Sequence, residues 1–87
     1  MHKPFHARLL ALEDGAYDTS YKDRRYLLRK QTLLKEKLIK LYAEELGGSD
    51  FISLNYYPQV KDGLLKPCEM PQEKVIDFIL ELKTFKS

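Results

Sequence analysis

Eight of the fifteen Lys and Arg residues fall between Lys22 and Lys40, opposed there only by Asp23 and Glu36. That segment carries a net +6, while the rest of the chain sets seven cations against eleven acids, a net −4. Segregation of this kind puts a lasting positive field over one part of the surface and steers an anionic partner toward it. Arg24, Arg25, Arg29 and Lys30 lie close in sequence to Tyr17, Tyr21 and Tyr26. Cations that contact phosphate beside rings that stack on bases suit single-stranded nucleic acid. Arg24, Arg25, Arg29, Lys30 and Tyr26 are therefore the candidate nucleic-acid-binding residues. The plainer reading is a solvated face whose Lys and Arg stems cover apolar surface.

The other reactive residue types assemble into nothing catalytic. Cys68 stands between Pro67 and Glu69, with no cation nearer than Lys66 to lower its pKa, so it reads as an inert packing thiol. His2 and His6 have helical ligand spacing but no third ligand and no HExxH context. Glu44 and Glu45 are adjacent and would diverge on a helix. Gly47-Gly48-Ser49-Asp50 superficially resembles a phosphate loop, yet it follows its expected helix, and anions are held at helix N-termini. Tyr56 and Tyr57 should face opposite sides of a strand, one inward and one toward a protein interface. No nucleophile, base and orienting group come together, so neither enzyme activity, cofactor nor metal is expected.

Elements must position these residues. Phe5, Leu9 and Leu12 recur at helical spacing after Pro4, and Gly15 sits where a C-terminal glycine would end that helix. Tyr17, Thr19 and Tyr21 alternate with Ala16, Asp18 and Ser20, which predicts a strand. A turn at Lys22-Asp23 would lead into a second strand over 25–32. The rival takes Ser20 to Asp23 as a capping box and runs one helix from about 21 to 46, with Leu27, Leu34, Leu38 and Leu41 as its seam. The hairpin is favoured. From 35 to 46 both readings place a helix with Leu38, Leu41, Tyr42 and Leu46 inward, ended by Gly47-Gly48. A strand over 51–57 is closed by Pro58, Lys61-Asp62-Gly63 turns the chain, and 64–68 returns as an edge strand carrying Pro67. Pro71 opens a last helix with Val75, Phe78, Ile79, Leu82 and Phe85 on one stripe and Ile76 and Leu80 on a neighbouring one.

The expected fold over 1–87 is a small single α+β domain in the order helix, hairpin, helix, hairpin, helix, with a mostly antiparallel sheet packed by helices. The expected core is Leu38, Leu41, Leu46, Ile52, Leu54, Val75, Ile79 and Leu82. At 44% hydrophobic and 32% charged, the composition is that of a globular chain and excludes a disordered one. No run approaches a membrane span, no signal peptide is evident, and one cysteine suits a reducing compartment, so a cytoplasmic protein is expected. The leading functional expectation is a non-enzymatic interaction module with a protein partner or itself. Homodimerisation would use Ile76 and Leu80, a second apolar stripe that invites burial. Nucleic-acid binding through 22–40 is the alternative.

Overall fold

The computed structural model describes residues 3–85. Helix α1 (Lys3–Ala11) leads into five strands that follow one another across a sheet: β1 (Gly15–Tyr21), β2 (Arg24–Leu33), β3 (Leu38–Glu45), β4 (Phe51–Tyr57) and β5 (Leu64–Pro67). Helix α2 (Gln72–Glu81) and a two-residue strand β6 (Lys83–Thr84) complete the chain. All pairings are antiparallel, in the order β5-β4-β3-β2-β1-β6. No helix among the described residues is long and apolar enough to cross a membrane.

This corrects the expected helix-hairpin-helix-hairpin-helix order, because residues 38–45 are a strand and not part of a helix over 35–46. Leu, Lys and Glu are good helix formers, and Leu38, Leu41 and Tyr42 also fit a helical stripe. Ile39, Leu41 and Ala43, however, alternate with Lys40, Tyr42 and Glu44, the period of a strand with one buried face. The first three are at most 3% exposed, whereas Tyr42 is 41% exposed. Flanked by β2 and β4, this segment has its ladder satisfied on both sides, and that tertiary pairing outweighs local propensity. Leu46, expected in the core, lies beyond the strand and is exposed.

The hairpin over 16–32 forms, and the helix over 21–46 does not. Its turn is Lys22-Asp23, both at positive φ (50° and 62°), as a type I′ connection demands of its two central residues. Neither is glycine, so both carry the steric cost of the left-handed region. Asp23→Gly is expected to raise stability by about 0.5–1 kcal/mol, read by thermal unfolding. An unchanged or lower melting temperature would show that the turn is unstrained. Gly15, expected to cap α1, instead opens β1 at φ 119°.

Both helices cover one face of the sheet. Phe5 and Leu9 of α1 join Val75, Phe78 and Ile79 of α2 over Leu28, Leu41, Leu54 and Tyr56. Tyr21 packs tilted and Tyr26 edge-on against Phe78, with ring centroids 5.0 and 5.2 Å away. Their hydroxyls leave the core toward carboxylates: Tyr21 donates to Asp77, and Tyr26 donates to Asp50 at 2.7 Å. Lys74 reaches the other oxygen of Asp50 at 2.5 Å, tying the β3–β4 connection to α2. Phe85, expected on the α2 stripe, lies past the helix, beside the Arg25 guanidinium.

Candidate nucleic-acid interface

Among the described residues no helix covers the opposite face of the sheet, and the strand registers fix what stands on it. Directly opposed residues share a face. One row therefore runs Asp18, Leu27, Glu44, Phe51 across β1 to β4. The next runs Ala16, Arg29, Tyr42, Ser53. A third runs Gln31, Lys40, Asn55, Lys66 across β2 to β5. At one end of the face Arg25 and Lys83 flank Ser20. At the other, Leu33 opposes Leu38 and Tyr57 opposes Leu64. Five cations (Arg25, Arg29, Lys40, Lys66, Lys83) thus meet two acids, Asp18 and Glu44, and the face is net positive.

At its centre the rings of Tyr42 and Phe51 stack, 6.2 Å between centroids and 26° between planes. Arg29 stands directly opposite Tyr42 on β2. Arg29 also pairs with Glu44 at 3.8 Å and Arg25 with Asp18 at 3.6 Å, all four side chains being about half exposed. Pairs this exposed hold by less than about 1 kcal/mol, so a phosphate can displace them. A third ring, Phe85, lies 4.7 Å from the Arg25 guanidinium. Beside Tyr42 the face dips into a concavity of about 690 Å³ lined by Arg29, Gln31, Lys40, Ser53 and Asn55.

The five sequence candidates divide between the two faces. Arg25 and Arg29 stand on the open one. Arg24 lies at the edge of the covered face, 3.8 Å from Glu45. Tyr26 is 1% exposed in the core. Lys30, 3% exposed, donates to the Leu12 carbonyl at 2.5 Å and lies 3.7 Å from Asp14. Burial pushes its ammonium pKa down more than Asp14 restores it. The missed residues are Lys40 and Tyr42, whose signal was the period-two alternation of 38–45, and Phe51, which opens the strand read over 51–57. On α2, Ile76 is partly buried against the core and Leu80 is half-buried. Phe5 and Leu9 bring α1 over α2 within one chain.

Elsewhere, polar groups are engaged in holding the fold. A larger cleft of about 760 Å³ lies between α1, β1 and Phe85. Its Arg8 donates to the Ile79 and Leu82 carbonyls, its Tyr17 to the Glu13 carbonyl, and its Asp14 accepts from Thr32. His6 hydrogen-bonds the Tyr56 hydroxyl at 2.6 Å, and His2 lies outside the described residues. Among the described residues no three His, Cys, Asp or Glu side chains are grouped to hold a metal. No family model, curated protein or solved structure matches this chain.

Proposed function

We propose that this chain is a non-enzymatic binding module that takes single-stranded nucleic acid on the helix-free face of its sheet. The observation that carries the reading is Arg29 opposed to Tyr42, itself stacked on Phe51, within a face of five cations and two acids. Aromatic faces accept any base, worth about 1–3 kcal/mol per stacked base, and guanidinium and ammonium groups around them neutralise the backbone. An open sheet face admits a strand with splayed bases, whereas a duplex buries its base faces. The free thiol of Cys68 fits a reducing, cytoplasmic setting.

Fluorescence anisotropy with labelled single strands and duplexes at low salt tests this reading. Single strands are expected to bind more tightly than duplex, and Tyr42→Ala to weaken that binding by about 5- to 150-fold. The Arg25→Ala/Arg29→Ala pair should lower the slope of log K against log salt by about 0.7 per lost phosphate contact. Absence of binding to any single strand at low salt defeats the proposal.

A second reading is favoured by the other end of the same face. Leu33, Leu34 and Leu64 are 37%, 67% and 39% exposed there, beside Leu38 and Tyr57. That apolar end suits a protein contact, a second copy included, and is more exposed than Ile76 and Leu80. A concentration-dependent dimer in sedimentation equilibrium, abolished by Leu64→Glu and retained in Ile76→Glu, would favour it.

A further inference from the structure

We infer that the concavity beside Tyr42 selects guanine over adenine, an inference that rests on the single-strand reading above. A base laid on the Tyr42 ring has a defined set of neighbours. Lys40 stands two residues away on β3, about 7 Å along the strand and comparable with the long dimension of a purine. Gln31 and Asn55 oppose Lys40 on either side, so the Lys40 side chain rises from the sheet between two carboxamide residues. Arg29 bounds the concavity on the β2 side and Ser53 on the β4 side.

The donor and acceptor pattern of that row decides which base edge it accepts. Lys40 and Arg29 only donate, whereas the carboxamides of Gln31 and Asn55 also accept through their oxygens. Guanine presents acceptors at O6 and N7, the pair most often read by Lys or Arg, next to donors at N1 and N2 that an amide oxygen can take. Adenine turns its N6 amine toward the same place. Adenine keeps the N7 acceptor, but its N6 amine is a donor that neither Lys40 nor Arg29 can accept, so the two cations make one base contact fewer. The carboxamides that complete the base contact lie in the third row of the face, while the stacking rings and Arg25 lie in other rows. Selectivity and affinity should therefore separate on mutation.

The test uses the full chain and labelled single-stranded oligonucleotides of deoxyadenosine, with and without one central guanine, at fixed low salt. The guanine strand is expected to bind about tenfold more tightly, within the range of one well-made base contact. Lys40→Ala and Asn55→Ala should each abolish that preference, read as the ratio of the two affinities, and Lys40→Ala should also weaken both strands by the loss of one cation of the face. Lys40→Arg should keep it, because a guanidinium serves the same acceptors. Arg25→Ala should weaken both strands equally and preserve their ratio. All three side chains are exposed or half-exposed, and unchanged circular dichroism confirms the fold of each variant. Equal affinity for the two strands in the unaltered protein overturns guanine selection and leaves single-strand binding standing. A preference that survives in both Lys40→Ala and Asn55→Ala overturns the assigned pocket. Failure of both strands to bind removes this inference together with the function on which it rests.

Discussion

Leu41→Ala is expected to cost about 2–5 kcal/mol, comparable with the whole stability of a domain this small. Leu41 is 2% exposed in the central strand and opposes Leu54 across the covered face, so truncation leaves a cavity between two fixed layers. Its neighbours make the prediction specific. On a helix over 35–46, Leu41, Tyr42 and Leu46 would share one buried stripe and their truncations would be comparably harmful. On β3, Tyr42 points to the open face at 41% exposure and Leu46 lies past the strand at 45%. Both should cost well under half as much as Leu41. Urea unfolding of the three single variants reads the difference directly. A Tyr42→Ala or Leu46→Ala variant as unstable as Leu41→Ala would restore the helical stripe and remove the open face with it.

Where the residues obeyed one periodicity, the fold was legible. Phe51 to Tyr57 is rich in aromatic and branched side chains, alternates cleanly, and stops at Pro58; its strand and the opposed directions of Tyr56 and Tyr57 follow from that alone. Leu38 to Glu45 satisfied two periodicities at once, and good helix formers tipped the choice the wrong way. Only the partners on both sides decide such a segment, and they are distant in sequence: Leu41 pairs with Lys30 and Leu54. Strand β6 had no signal either. Two residues pair with Thr19 and Ser20 because Leu82 is buried and turns the chain back along β1.

The same ambiguity hid the candidate site. Clustered charge in the sequence drew Arg24, Arg25, Arg29 and Lys30 together, but a strand sends alternate residues to opposite faces, which divides Arg25 and Arg29 from Arg24 and Lys30. A charge run is thus evidence of a binding surface only after the period of its element is known. Tyr42 and Phe51 are neighbours on different strands, nine positions apart in sequence, and become a platform only when β3 lies beside β4.

Above pH 10 the protein is expected to lose stability steeply and to unfold, led by Tyr21 and Tyr26. Burial raises both phenols well above the ordinary 10.0, and the hydrogen bonds to Asp77 and Asp50, with the negative charge of those carboxylates, raise them further. Burial also raises Tyr56. A group whose pKa is higher folded than unfolded contributes its full stability below the unfolded value. That contribution is lost as pH climbs from about 10 toward the folded value, because the unfolded chain releases its protons first. Lys30 acts in the opposite sense. Its pKa is lowered from 10.5, so stability rises with pH between its folded value and 10.5 as the cost of a buried charge is relieved. Asp50 governs the acid limb. Burial pushes its carboxyl up, but hydrogen bonds from Lys74 and Tyr26 outweigh that and hold it below 3.8, so its stabilisation is lost as pH falls through that lowered value. The alkaline profile should therefore climb slightly, then fall once the tyrosines dominate. Urea midpoints measured across that range check it, with a Tyr21→Phe/Tyr26→Phe pair as the decisive variant. It should be less stable at neutral pH, having lost two hydrogen bonds to carboxylates, and yet show a shallower alkaline fall. An alkaline limb as steep as that of the unaltered protein would show that other groups drive the transition and that these two hydroxyls are not locked to Asp77 and Asp50.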